Sequence, residues 1–396
     1  MHELRDAPGA TPLRFATPDT RFGDGVVTEL GAVLDRYGVS DPLFVTDRGV
    51  EEAGLLDIAV DAVDVTPATY YASREPSTDD VDDLPTEEVD GVVAIGGGSC
   101  LDTAKLAAVL LAHGGHPSEY VGVDRVPGPI APLVAVPTTS GTGSQATQTA
   151  VVSHDGVKRG ASDEHLRPDV ALVDPELTFG LPRNVTARSG FDAFVHAMES
   201  LLAREYRWVE ERPITYQGAN PVSRCLARRA LVLVHGSLER AVFDGDDRDA
   251  RRAMSLGSHL AGTAFSASGL GAVHALASTL GGMTGRPHGE CLAAAIRAGL
   301  TYNLPVRHDE YSVVAHELGG GGDGASNTPS GALVAECERL RDSIGLPGSF
   351  AEVGVSRSDI DTIVENTLVQ ERRLATNPRT VTDDLREFLL DGELHG

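Results

Sequence analysis

Lysine is nearly absent from this chain. Of 33 basic residues only two are lysine, Lys105 and Lys158, and the other 31 are arginine. Against them stand 58 acidic residues, for a formal net charge of −25. A charge of that sign argues against nucleic acid and against an anionic membrane surface as partners. A GC-rich genome explains arginine in place of lysine but not the acidic excess. The excess fits a halophilic cytoplasm of high salt, where charge repulsion is screened and an acidic surface keeps the protein hydrated. Cysteine is scarce as well. Cys100, Cys225, Cys291 and Cys337 are scattered with no CxxC pair, which excludes a cysteine-built zinc site and fits a reducing compartment. No apolar run approaches the ~18 residues of a membrane span. The opening residues MHELRDAPGA lack the basic-then-apolar pattern of a signal peptide. These absences together lead us to expect a soluble, cytoplasmic protein.

A length of 396 residues suggests two domains, and 41% hydrophobic residues are enough for a sizeable core. Over residues 1–180 short apolar runs alternate with helical patterns. Leu13–Ala16, Leu43–Thr46, Val92–Ile95, Leu133–Val136 and Val170–Val173 read as strands, with helices over Val26–Tyr37 and from the glycines after Ile95 through Leu111. Such alternation predicts a parallel sheet flanked by helices. From about Pro182 strand signals vanish and helical periods follow one another: Ala187–Ala203, Val222–Val242, Arg251–Ser268, Ser330–Ile344, Ile360–Gln370 and Val381–Leu390. Residues 181–396 are therefore expected to form an all-helical second domain, with the boundary between Asp174-Pro175 and Leu181-Pro182. The run Gly319 to Gly324 reads as a flexible loop.

The chemistry concentrates in Gly269–Asn303, GLGAVHALASTLGGMTGRPHGECLAAAIRAGLTYN. On one straight helix His274 and His288 would lie about 21 Å apart, out of reach of one ion. The glycines and Pro287 between them break the helix and let the chain return. Upstream, in GFDAFVHAME, Asp192 and His196 stand four apart on a helical pattern, so both side chains leave one face. A histidine on an apolar helix is more often a core or surface residue than a ligand. Here, though, Asp192, His196, His274 and His288 together give one carboxylate and three imidazoles, a donor set for a first-row divalent metal with a position left for substrate oxygen. The donors themselves suit Fe(II), Zn(II), Co(II) or Ni(II) equally.

A second site is expected at Gly96-Gly97-Gly98-Ser99, where a strand runs into a helix. Glycines there admit a pyrophosphate close to the backbone, and the helix N-terminus offers free N–H groups. The run is not GxGxxG, so it does not predict an ordinary Rossmann fold. Asp47, at the end of the Leu43–Thr46 strand, can accept bonds from the adenosine ribose and repel a 2′-phosphate, favouring NAD over NADP; the same residue would also serve as a helix cap. Both lysines sit in or near these motifs, where an ammonium could reach a phosphate or ribose.

The motifs GGGSCLDTAK (Gly96–Lys105), PTTSGTGS (Pro137–Ser144), VDPELT (Val173–Thr178), GFDAFVHAME, GLGAVHALA, RPHGE and NPR (Asn377–Arg379) resemble, in order and over nearly the whole chain, those of the iron-containing (group III) alcohol dehydrogenases. The resemblance implies a dehydroquinate synthase-like α/β nucleotide-binding domain, shared with glycerol dehydrogenase, followed by a helical metal-binding domain. It implies that Asp102, Thr138, Thr139, Thr142 and Ser144 join the glycine turn around the dinucleotide, with Lys158 matching a lysine found after that loop. It also implies NAD as cofactor, Fe2+ as metal with Zn2+ as the other candidate, and a homo-oligomer of two or more chains. The expected reaction is hydride transfer between an alcohol and nicotinamide in the cleft between the domains, or aldehyde or ketone reduction in reverse. Maleylacetate reductases are similar but typically lack the aspartate matching Asp192. A dehydroquinate synthase-like lyase would use one glutamate with two histidines and several basic residues for phosphate; the Asp192–His196 pair and the absence of lysine after Lys158 weigh against it. Three departures stand out: Ser278 where many relatives have a histidine, Gln145 for a glutamate, and Glu75-Pro76 for Asn-Pro. The first leaves no general base to name.

Overall fold

The computed structural model describes residues 11–85, 87–154, 157–209, 216–319 and 328–392. The first half carries a six-stranded sheet, all parallel, in the order β1-β9-β6-β4-β2-β3. Its strands are β1 (Asp19–Phe22), β2 (Pro42–Thr46), β3 (Ala68–Tyr71), β4 (Gly91–Gly96), β6 (Leu133–Pro137) and β9 (Val170–Val173). A smaller sheet joins β5 (Gly122–Val123), β8 (Val157–Ser162) and β7 (Thr149–His154), with β7 and β8 antiparallel.

Side chains alternate across a strand, and here both faces are covered. Leu43, Val45, Val92, Ala94, Leu133 and Ala135 enter one core, while Phe44, Val93, Ile95, Val134, Val136 and Leu172 enter the other. Burial on both faces explains why these segments read as continuous apolar runs, as a parallel sheet requires. Strand order reverses between β2 and β4. The ends of those strands, at Asp47 and Gly97, therefore open onto the crevice where such sheets take ligands.

The last strand ends at Val173, and helices follow to the end of the described chain, the first long one spanning Arg183–Leu202. Its apolar side packs with the Pro221–His235, Arg248–Ser268, Ala272–Thr284 and His288–Asn303 helices in one core. Among the described residues no single helix is long and apolar enough to cross a membrane.

Several expectations need correction. Leu13–Ala16 is not a strand; the edge strand starts at Asp19, where DTRF carries little apolar signal because one side of it faces outward. The helix expected over Val26–Tyr37 begins as a 3-10 turn at Val26–Glu29. Val222–Val242 is broken at Gly236-Ser237 into two helices. The β7–β8 hairpin and the His308–Glu317 helix were not foreseen. Gly320 to Gly324 of the glycine run lie outside the described residues.

Candidate metal centre and dinucleotide crevice

The Arg183–Leu202 helix presents Asp192, His196 and Glu199 at successive turns on one face, all buried. His274 is in the first turn of the Ala272–Thr284 helix. That helix leaves the Arg248–Ser268 helix at a bend of 102° through Gly269-Leu270-Gly271. Gly271 cannot be another residue without movement: a Cβ there would lie 2.6 Å from Asn377 Oδ1 and 3.0 Å from Glu199 Oε1. His288 opens the returning helix His288–Asn303, so the glycine and proline break does fold the second imidazole back.

The structure brings all four expected residues together. Asp192 Oδ1 lies 3.4 Å from His196 Nδ1, 3.4 Å from His274 Nε2 and 3.9 Å from His288 Nε2. The His196 and His274 rings stack at 4.4 Å, and Phe265 covers the other face of His196 at 4.2 Å. Asp192, His196 and His274 are buried and mutually close enough to share one ion, while the His288 side chain stays 40% exposed at the rim. Asp192 Oδ1, His196 Nδ1 and His274 Nε2 are each buried without a hydrogen-bond partner. Three such atoms facing one point are costly unless a cation joins them.

The protonation states fit that role. Burial raises the Asp192 carboxyl, but His196, His274 and His288 outweigh it, and the net shift is strongly downward, toward the ionised form. Burial depresses His196 to about 3, keeping it neutral, and His288 at the more open rim is lowered as well. An ionised carboxylate and neutral imidazoles are the forms that bind a divalent ion. Burial lowers His274, but its hydrogen bond to Glu199 and the nearby charges of Glu199 and Asp192 outweigh it, so His274 alone is raised.

Glu199 was not anticipated. His274 Nδ1–H donates to Glu199 Oε2 at 2.6 Å, and the Val273 N–H donates to Oε1 at 2.8 Å. The carboxylate thus fixes the tautomer that leaves His274 Nε2 free toward the cluster. The i, i+4, i+7 spacing of Asp192, His196 and Glu199 was the available signal. Asn377 of NPR has a defined task too: its Oδ1 accepts the Ala272 N–H at 2.9 Å, capping the helix of His274, while Asn303 holds the amide from behind.

At the crevice the glycine turn lies beneath Thr139 and Thr142. A Cβ on Gly97 would meet Thr139 at 3.6 Å, and one on Gly98 would meet Thr142 at 2.8 Å. Gly97, Gly98, Ser99, Thr139 and Thr142 retain some exposure, whereas Gly96, Thr138 and Ser144 are buried. Ser99 Oγ donates to the Arg74 carbonyl at 2.6 Å, which ties the Arg74-Glu75-Pro76 loop over the turn. Asp47 does cap a helix, accepting the Val50 N–H at 3.0 Å, and its Oδ2 also accepts from Cys100 Sγ at 3.3 Å.

The two lysines differ. Lys105 is fully buried and donates to Ser144 Oγ, Thr147 Oγ1 and the Thr149 carbonyl, which uses all three of its hydrogens. It therefore cannot reach a phosphate, contrary to the sequence expectation; it fastens the PTTSGTGS loop to its helix, with burial lowering its pKa to about 8. Ser144 is likewise engaged, donating to Asp102 Oδ1 at 2.6 Å, while Asp102 Oδ2 accepts the Val151 N–H. Lys158 is exposed and pairs with Glu75 Oε1 at 2.8 Å.

The same loop joins the domains. A Cβ on Gly143 would lie 2.5 Å from Gly262 Cα, and one on Gly141 would lie 2.7 Å from Ser189 Cβ. Ser140 Oγ and Ser255 Oγ are 3.1 Å apart. The crevice and the histidine cluster are thus held across one interface.

A glycine turn at a sheet's switch point, facing a buried carboxylate and histidines, is the arrangement of a dehydrogenase that combines a dinucleotide with a metal. Comparison with known proteins agrees. Residues 17–175 match the iron-containing alcohol dehydrogenase family, and residues 186–390 match its C-terminal region. The NAD-dependent methanol dehydrogenase of Bacillus methanolicus is 34% identical, covering 93% of this chain and 96% of that protein. The 4-hydroxybutyrate dehydrogenase of Cupriavidus necator is 35% identical over 92% and 95%. A crystal structure of 1,3-propanediol oxidoreductase superposes with a TM-score of 0.87 at 28% identity, covering 96% of this chain and 100% of that one. The chain belongs to the iron-containing alcohol dehydrogenase family and is an oxidoreductase.

Proposed function

We propose that this chain is an NAD-linked dehydrogenase that moves hydride between an alcohol carbon and nicotinamide, or reduces the matching aldehyde or ketone. On this reading Asp192, His196, His274 and His288 hold one divalent ion, iron in the first place and zinc in the second. The single observation that carries it is the convergence of Asp192 Oδ1, His196 Nδ1 and His274 Nε2, all buried and unpartnered. A bound divalent metal would supply a Lewis acid that lowers the pKa of an alcohol oxygen. The chain's own residues do the rest. Glu199 orients His274, Phe265 shields His196 from water, and the stacked rings fix the direction of approach.

The dinucleotide lies along Gly96, Gly97, Gly98 and Ser99, with Asp102, Thr138, Thr139, Thr142, Ser144 and Lys158 around it. Thr139 and Thr142 present the accessible hydroxyls, and the buried members shape the loop. Asp47 sits at the switch point where an adenosine ribose would rest, and its charge disfavours a 2′-phosphate, so NAD is preferred to NADP. Ser278, one turn after His274 on the same face, cannot act as a general base, so proton release runs through water or the nicotinamide ribose. The same reading takes 1–180 as the cofactor domain and 181–396 as the metal domain. It also takes the protein as a cytoplasmic homo-oligomer adapted to high salt; activity and melting temperature should rise from low to molar KCl, and a flat response would remove the halophilic part.

The relatives' substrates range from methanol to the anion 4-hydroxybutyrate. The test is metal content together with NADH formation on anaerobically purified protein in high salt, across short alcohols, diols and hydroxyacids. Near-stoichiometric iron or zinc, with turnover lost in Asp192→Ala, is expected. Bound metal with phosphate release and no net NADH would point to lyase chemistry instead.

A further inference from the structure

In a chain with 58 acidic and 33 basic residues, an arginine finds a carboxylate easily. Arg373 has none: among the described residues no carboxylate lies within ion-pair distance of its guanidinium. Its Nε is fully buried with no hydrogen-bond partner. Its Nη1 donates to Gln370 Oε1 at 2.6 Å. Gln370 is itself fixed, since its Nε2 donates to the Ala275 carbonyl at 2.9 Å and to Thr279 Oγ1 at 3.0 Å, on the helix that carries His274. A rigid amide therefore holds the guanidinium against the turn that follows the metal-site histidine.

The surroundings place this charge beside the cluster. After burial, Asp192 and His274, the Arg373 charge is among the influences felt by His288, and Arg373 in turn senses Tyr216, Arg372 and Glu199. Tyr216 packs with Phe265 and Leu270, and Phe265 covers His196. Glu199 is near enough to be felt but makes no ion pair with Arg373; its oxygens are turned to Val273 and His274. Burial outweighs the pull of Tyr216 and Glu199 and holds the Arg373 pKa below its ordinary value. Arg373 is half-buried, its Nε is shut away without a partner and its charge has no counter-ion, so an anion arriving at its open side would add charge-assisted hydrogen bonds.

Resting on the reading of the site as an alcohol dehydrogenase, we propose that Arg373 anchors a carboxylate at the far end of the substrate, making the preferred substrates short ω-hydroxycarboxylates or the matching aldehyde acids. The cluster holds the reacting oxygen end, and Arg373 holds the anionic end across the apolar wall of Tyr216, Phe265 and Leu270.

The test compares 1-butanol with 4-hydroxybutyrate, which share four carbons and differ at the far end, for the wild type, Arg373→Met and Arg373→Lys in molar KCl. The wild type should favour 4-hydroxybutyrate in kcat/KM. Arg373→Met should lose on the order of 100-fold on it, mainly through KM, and far less on 1-butanol; Arg373→Lys should recover part of the loss. Succinate, titrated calorimetrically without turnover, should bind the wild type and fail to bind Arg373→Met at equal melting temperature. Equal loss on both alcohols, or succinate binding that survives Arg373→Met, overturns the proposal. A wild type that oxidises 1-butanol but shows no gain from the carboxylate refutes the anchor and leaves the dehydrogenase intact. If neither alcohol turns over, the dehydrogenase reading fails and succinate binding alone decides the anchor.

Discussion

Glu199→Gln isolates the tautomer argument because it keeps the shape and removes the charge. In the native protein both carboxylate oxygens accept: Oε2 from His274 Nδ1–H at 2.6 Å and Oε1 from Val273 N–H at 2.8 Å. A glutamine can accept at only one of these positions. If its NH2 faces His274, the imidazole must carry its proton on Nε2, the atom that otherwise points lone-pair first toward Asp192. If it faces Val273 instead, a buried backbone N–H loses its acceptor, at about 1–3 kcal/mol. Loss of an outer-shell partner to a metal-site histidine typically costs 10- to 100-fold in affinity, about 1.4–2.7 kcal/mol at about 1.36 per decade. The assay is competition for Zn2+ or Co2+ against a chromophoric chelator, for wild type and variant, with melting curves alongside. A variant that folds normally and binds metal within threefold of wild type would refute the claim that Glu199 fixes His274.

Other predictions follow from the same contacts. Asp47→Gly should raise NADP use relative to NAD while lowering stability by only a few tenths of a kcal/mol, since glycine is a tolerable helix cap; unchanged NADP kinetics would count against the ribose role. Gly262→Ala should lower the melting temperature, because the new Cβ would sit 2.7 Å from Gly143 Cα and overpacking costs roughly 1–3 kcal/mol; an unchanged melt would mean the interface yields. His259 is depressed by burial from 6.5 to about 4. Between those values the unfolded chain takes up a proton that the folded chain refuses, so stability is complete above pH 6.5 and falls on acidification toward pH 4. The full gap corresponds to at most roughly 3.4 kcal/mol. His259→Asn should flatten the change in melting temperature between pH 7 and pH 5, and an identical slope would remove His259 as the cause.

The sequence by itself determined the class of fold and the identity of the cluster. Runs such as Val92–Ile95 and Leu133–Val136 are apolar at every position because both faces of a parallel strand are buried, so their strand character is local. Asp192 and His196 are joined by helical spacing, and the breaker before His288 is written in glycine and proline. Local pattern could not find β1 or the β7–β8 hairpin, whose half-exposed residues carry little apolar contrast. Nor could it assign partners separated by long stretches of chain. Lys105 looked like a phosphate ligand until the fold surrounded it with Ser144, Thr147 and Thr149. PTTSGTGS was read for its hydroxyls alone, and its two glycines, Gly141 and Gly143, turn out to admit the helical domain. Glu199 on His274, Asn377 on Ala272 and Arg373 held by Gln370 without a counter-ion are likewise products of packing. Whether a buried charge has a partner depends on what the rest of the chain brings to it, and only the tertiary structure decides that.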